Sequence, residues 1–492
     1  MRKEINFFYL FYTLSCLFIF LRLEITYGSD LKAPFTDDFY YYLTTARNFI
    51  NFKFMTFDQI SSTNGVQPLW FIIILGLKYL ISNEIIFNCF VITFVFSFSF
   101  LSFINFRYFL KKINYSDTSS TFISVSVCFL SLFFSKNGME ISLAIFLFSK
   151  SLIHLNNNNI LFCLFAFLTF LARLEFILFY FVLLFHDLFL KKKIFQKKYV
   201  LQILLLPFLL IIYVIFNDFY FDSFFPESGI AKSLNKELKF NQETFSFLKS
   251  QQIGMKFISF LFYLNILGLF FLFSKKLNVF TKYALITFLI FFLSNSLRSA
   301  WPLWTWHFFI LSISTPLLID DLVKSFKLSL IKYRSLLVSI FFALAYFLLY
   351  VNNYGINNDH ILNVADKISK HYKFKEYERF AMGDMAGKTS YLLNKQLIQT
   401  EGLVGGKKVL EKIRDEKNLC ELFREYNVEI YLASKLENKN GKYYIEEPSQ
   451  KSKNVKKMKG ILLKDPDKIF TSGNLKIYAF NVKDDNNCQI YQ

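Results

Sequence analysis

Two acidic side chains stand side by side at Asp37 and Asp38, in the stretch APFTDDFYYYLTTARNFI that follows the first long apolar run. Neighbouring carboxylates in a partly dry site do not both ionise without compensation, so one of them holds its proton to a higher pH than usual. A carboxylate poised in that way suits a general base that takes a proton from a hydroxyl or an amine. The same residues have a plainer reading. Thr36-Asp37-Asp38 precedes FYYYLTTARNFI, an amphipathic helical pattern, and aspartate is favoured where a helix begins. On the pattern alone, capping and catalysis stand level.

The elements that would position these acids are greasy. The chain has 492 residues, 54% hydrophobic and 20% aromatic, with 67 phenylalanines, too many for the single core of a soluble domain. Several apolar runs approach the ~20 residues that cross a bilayer, so the chain reads as a polytopic membrane protein with a soluble tail. Its net charge of +19 does not point to nucleic acid, because Lys and Arg fall mainly in short loops between apolar runs, the positive-inside pattern. The basic start MRKEINFF leads into an apolar stretch that reads as a retained anchor helix rather than a cleaved signal.

Threading the chain so that each basic cluster is cytoplasmic gives about 11 spans: residues 5–25, 84–109, 119–135, 139–155, 159–172, 173–190, 199–217, 253–274, 279–297, 303–320 and 335–351. The first outer loop, residues 28–83, then contains an interfacial helix after the acids, a turn at Asn64-Gly65, and a second interfacial helix opening at Pro68. Such a loop is suited to gripping a lipid. Glu140 in NGME, Arg173 and Glu175 in ARLE, Lys232 in the 218–252 loop, and Arg298 and His307 around LRSAWPLWTWH gather on the same outer face.

The chain divides into a membrane part, 1–351, and an extracytoplasmic tail, 352–492, in which helical and strand patterns alternate as in a small α/β domain. Residues 361–373 read as helix, RFAMGD and QLIQTEG as strands around a helix, GKKVLEKIRDEKNLCELFREY as one amphipathic helix before the strand VEIYLA, and LKIYAFNV as a late strand. The Lys-, Asn- and Glu-rich stretch 436–466 reads as a loop. Cys16, Cys89, Cys128 and Cys163 lie in apolar runs as small hydrophobes. Cys420 and Cys488 are free or, if the tail is extracytoplasmic, a disulfide. No CxxC or His-rich metal pattern occurs, and GDMAG lacks the spacing of a dinucleotide fingerprint.

DDFYYYLTTARN, TNGVQPLW, NGME, ARLE, FFPESGIAKS, GDMAGKTSYLL and QTEGLV, in that order along nearly the whole chain, resemble membrane glycosyltransferases of the GT-C superfamily. That superfamily includes protein O-mannosyltransferases, aminoarabinose transferases of lipid A and mycobacterial arabinosyltransferases. The resemblance implies a GT-C type fold in a bacterial inner membrane with the site on the extracytoplasmic side. It implies a polyprenyl-phosphate-linked sugar as donor and a glycan, lipid or protein as acceptor. It also implies a first-loop carboxylate as the base. Carried over, Asp37 is the base, Asp38 positions the acceptor or tunes Asp37, and Glu140 is the second acid, unless it only caps the helix that begins there.

A departing lipid phosphate calls for cations at the outer interface, and Arg173, Lys232, Arg298 and His307 are placed for that role. Each has a plainer alternative. Arg173 and Glu175 could pair with each other, Arg298 could anchor its helix, and His307 could be a satisfied interfacial histidine. Arg47 could pair with one of the acids, while Asn64 and Gln67 are expected to contact substrate. Trp301, Trp304 and Trp306 are an aromatic belt or a stacking surface for sugar. No cofactor is implied with certainty, and a divalent metal stays open. Two rivals remain: a transporter or flippase of lipid-linked glycans, against which stands the absence of paired half-repeats with midplane charges, and a non-catalytic glycan-assembly protein.

Overall fold

The computed structural model describes residues 35–135, 138–155, 158–185, 197–325, 358–483 and 487–489. The expected spans at 5–25 and 335–351, and Cys16, lie outside these residues. Among the described residues, 35–325 contribute twelve α-helices: α1 Asp37–Phe52, α2 Pro68–Leu80, α3 Glu84–Lys112, α4 Asp117–Ser135, α5 Ile141–His154, α6 Asn159–Ala172, α7 Ile177–Phe185, α8 Lys197–Phe221, α9 Glu227–Ser233, α10 Ile253–Phe270, α11 Val279–Arg298 and α12 Leu311–Ser325.

Local chemistry sets several of the ends. Asn83, Asn158 and Asn278 each accept a backbone N–H in the first turn of the helix that follows, the favoured use of an N-cap amide. Pro68 opens α2 where its missing N–H costs nothing. α3 carries Glu84 in its first turn and Lys111 and Lys112 in its last, in line with its dipole.

Six helical segments among the described residues are long and apolar enough to cross a membrane: Glu84–Lys112, Asp117–Ser135, Val200–Phe221, Ile253–Phe270, Val279–Arg298 and Thr305–Ser325. The expected count of eleven is not reached among the described residues. Expected spans over 139–155, 159–172 and 173–190 correspond to shorter apolar helices, Ile141–His154, Asn159–Ala172 and Leu174–Phe185. Fourteen residues rise only about 21 Å, against a hydrocarbon thickness of about 30 Å. α4 is the centre of the bundle. Almost all of it is buried, and its serines turn inward, with Ser131 donating to Ser99 Oγ at 2.9 Å. Small residues let helices approach closely and join through hydroxyls.

The tail comprises α13 Asn358–Lys370, β1 Arg379–Met382, α14 Ala386–Leu393, β2 Gln396–Gln399, α15 Lys407–Arg414, α16 Leu419–Glu425, β3 Ile430–Ala433, β4 Glu437–Lys439, β5 Lys442–Glu447, β6 Met458–Leu462, β7 Lys468–Ser472, β8 Leu475–Asn481 and β9 Cys488–Gln489. A five-stranded sheet has the order β2-β1-β3-β8-β7. β1 runs parallel to β2 and to β3, and β8 is antiparallel to β3 and β7. Parallel neighbours need crossovers, which α14 and the pair α15 and α16 supply.

A second, antiparallel sheet, β4-β5-β6-β9, occupies much of the stretch expected to be a loop at 436–466. Most of its charged residues lie on the outer face while Tyr443, Ile445, Met458 and Leu462, with the buried Glu447, turn inward, so a period of two was hidden in a polar composition. The single helix expected before β3 is two, with Asn418 capping the second. A disulfide joins Cys420 of α16 to Cys488 of the edge strand β9, with Cα atoms 5.6 Å apart. Cys89, Cys128 and Cys163 form no disulfide among the described residues.

The tail packs directly on the loop between α1 and α2. A Cβ on Gly65 would stand 1.9 Å from the Leu403 carbonyl oxygen, so the TNG turn and the TEGLV turn meet backbone to backbone.

Candidate functional site

Residues adjacent on an α-helix diverge by about 100°. Asp37 and Asp38, the first two residues of α1, therefore serve different faces. Neither caps α1 itself; the N-cap position belongs to Thr36, whose side chain makes no cap hydrogen bond. The Asp37 carboxylate points to the tail, where Oδ1 accepts from Lys388 N at 2.7 Å and Oδ2 from Gly387 N at 3.1 Å. Asp38 lines a cavity of 610 Å³ together with Tyr41 and Tyr42, one helical turn further on.

The cavity is built from seven regions of the chain. α1 and the Gly65–Gln67 turn form one side, and Met139 and Glu140 another. Arg173, Leu174, Glu175, Ile177 and Leu178 come from the junction of α6 and α7, and Leu210, Tyr213 and Val214 from α8. The α9 loop adds Pro226 to Ser233 in part, and the end of α11 with the following loop adds Arg298, Trp301, Trp306 and His307. Leu403 and Val404 of the tail complete the lining.

One wall is a continuous polar chain. The Tyr42 hydroxyl accepts from Gln67 N at 3.3 Å and donates to Glu140 Oε2 at 3.2 Å. Arg173 Nη1 donates to Glu140 Oε1 at 2.5 Å, and Nη2 donates to Glu175 Oε1 at 3.0 Å. Glu140 is fully buried and Arg173 nearly so, which makes this a pair that neither partner could leave cheaply. Glu140 occupies the N-cap position of α5, yet its side chain makes no cap hydrogen bond there.

Facing that wall, Lys232 Nζ lies 3.4 Å from His307 Nε2, and His307 Nδ1 accepts from Trp304 N at 3.0 Å. Desolvation pushes the Asp38 carboxyl up to about 7; the Lys232 charge opposes this, and Asp37, Asp384 and Glu140 add to it. Burial pushes Asp37 up to about 6 against its two backbone hydrogen bonds. The Lys232 ammonium is lowered by burial, opposed by Asp38 and reinforced by Arg173. An acid and a base with converging proton affinities thus share one partly enclosed space.

Of the residues singled out in the sequence, Asp38, Gln67, Glu140, Arg173, Glu175, Lys232, Arg298 and His307 line the cavity. Asp37, Arg47 and Asn64 do not. Arg47 pairs with neither acid; its guanidinium donates to the Tyr391 carbonyl at 2.8 Å and the Ser390 carbonyl at 3.4 Å. Asn64 joins loops, donating to Asn217 Oδ1 at 2.9 Å and accepting from Glu227 N at 2.9 Å. Trp304 and Trp306 stack on each other with centroids 6.3 Å apart, and Trp301 is buried against the tail's Val455.

Sequence reasoning missed Tyr41 and Tyr42, although the i+3 and i+4 spacing from Asp38 marks them. Leu403 and Val404 had no such signal, because only the docking of the tail brings them there. Among the described residues, no group of three or more His, Cys, Asp or Glu side chains is arranged to hold a metal ion. No protein-family model matches the chain, and a search of the curated proteins finds no match.

Proposed function

We propose that this chain is a membrane glycosyltransferase of GT-C type that moves a sugar from a polyprenyl-phosphate donor to an extracytoplasmic acceptor, with Asp38 as general base. One observation carries the reading: a charged set and an apolar set of side chains line the same cavity. Asp38, Glu175, Lys232 and Arg298 share it with Leu174, Leu178, Leu210 and Val214, and the last four belong to apolar helices or their junction. A substrate that fits both halves has an anionic, hydrogen-bonding head on a hydrocarbon tail.

In the proposed step an acceptor hydroxyl oxygen attacks the anomeric carbon and its proton passes to the Asp38 carboxylate. The bond between the anomeric carbon and the phosphate oxygen breaks, and the phosphate leaves with the electron pair. Configuration inverts. Lys232 and Arg298 receive the growing negative charge, with Arg173 holding the polar wall in place. The ordered motifs of the sequence support the same reaction class. Under this reading the shorter helices over 141–185 and the apolar runs at 5–25 and 335–351 bring the spans to 11, in a bacterial inner membrane with the tail outside.

The test is transfer by the purified full chain in detergent, supplied with radiolabelled polyprenyl-phosphate sugars and a panel of glycan, lipid and peptide acceptors. Transfer that Asp38→Asn abolishes supports the proposal. Sugar-lipid that crosses a vesicle membrane with no new glycosidic bond would replace it with a flippase.

A further inference from the structure

The face of α1 turned away from the cavity grips a tail helix at both ends. α14 begins after Met385, whose side chain provides no cap, and its second and third amides, Gly387 N and Lys388 N, donate instead to Asp37. Those are the orphan donors that an N-cap side chain normally satisfies. At the other end Arg47 donates to the carbonyls of Ser390 and Tyr391 and lies 5.2 Å from the Tyr391 ring centroid.

Both residues reach α14 from one helix: ten positions of α1, a rise of about 15 Å, lie between Asp37 and Arg47, and the long Arg47 side chain spans the remaining distance to the Ser390 and Tyr391 carbonyls. The signs agree, with the carboxylate at the positive end of the α14 dipole and the guanidinium at its negative end. Gly387 makes the approach possible, because a Cβ there would stand 2.3 Å from the Asp37 carbonyl oxygen.

We infer that Asp37 and Arg47 form a two-ended clamp docking the 386–393 helix on the first outer loop, and that Asp37 is a positioning residue for Asp38. The clamp stands on geometry alone; the positioning role rests on the proposed transferase reading. The docked tail supplies Leu403 and Val404 to the cavity and sets Asp384 close enough to act on Asp38. Loss of the clamp would let that part of the site open to water.

Hydrogen exchange on the full chain in detergent tests the clamp without any substrate. Asp37→Ala is expected to speed exchange in the peptide covering 386–393 by about tenfold or more, with Asp37→Asn intermediate because one acceptor oxygen remains. Arg47→Ala should loosen the same peptide, while the 430–433 and 475–481 strands keep their protection in all three variants. Unchanged exchange at 386–393 in Asp37→Ala overturns the clamp. In the transfer assay Asp37→Asn should keep at least about a tenth of kcat and move the acid limb of the rate to lower pH, since a charge beside Asp38 is removed. Loss of transfer in Asp37→Asn as complete as in Asp38→Asn, with 386–393 still protected, makes Asp37 the base and overturns its positioning role. Absence of transfer by the parent chain removes the reaction and the positioning role with it, and leaves the exchange result to decide the clamp.

Discussion

Asp38 and Lys232 hold each other's protons in balance, and the pH dependence of the proposed reaction follows. The base must be unprotonated, and its folded carboxyl titrates near 7 rather than 3.8. Below that value the active fraction falls, so kcat/KM is expected to drop about tenfold per pH unit on the acid side and to level off above about 7. Lys232 favours the charged form of Asp38. Lys232→Met therefore moves the inflection upward as well as lowering the plateau, by about 100-fold or more if Lys232 also receives the phosphate. A pH–rate profile of the two proteins checks both, and an inflection that stays fixed in Lys232→Met would separate the lysine from the base. Arg173 is a different case. Its removal leaves Glu140 buried and without its cation, so Arg173→Met should cost about 3 kcal/mol or more of stability, read as a lowered melting temperature in detergent.

Helices in this molecule are placed by close approach as much as by apolar stripes. Gly387→Ala puts a methyl group 2.3 Å from the backbone of α1 and should destabilise the protein, with the peptide over 386–393 losing protection. Gly76→Ala is the opposite case. It lies inside α2 with nothing within 4 Å of the added carbon, so the substitution should be neutral or stabilising by up to about 1 kcal/mol. Thermal unfolding of the two alanine variants beside the parent separates packing from helix propensity. Both glycines sit in helices, and nothing in their local sequence tells them apart.

At the scale of the whole molecule, the six long apolar helices among the described residues suggest a membrane protein. Single cysteines replacing Thr36 and Lys112 are expected to label from opposite sides, because the 29-residue helix α3 (about 43 Å) lies between the first loop and Lys112. Labelling of both from one side would break the proposed threading. The Cys420–Cys488 disulfide fits an oxidising compartment for the tail. In cells lysed under alkylating conditions, these two thiols should react only after reduction, whereas reaction before it would put the tail in the cytoplasm.

The sequence by itself determined what short-range physics controls. Apolar runs, the Asn and Pro signals at helix starts, and the strand–helix–strand pattern of RFAM, AGKTSYLL and QLIQ are legible because each depends on a few neighbouring residues. It also picked out most of the charged cavity lining, since polar groups at the ends of greasy helices stand out. The second sheet escaped, because lysines and glutamates on its outer face masked the inward alternation of Tyr443, Ile445 and Leu462. The division of labour between Asp37 and Asp38 could not be read at all. Adjacent in the chain, they are turned apart by the helix they begin, and only the tail helix 350 residues away determines which carboxylate is capped and which faces the cavity.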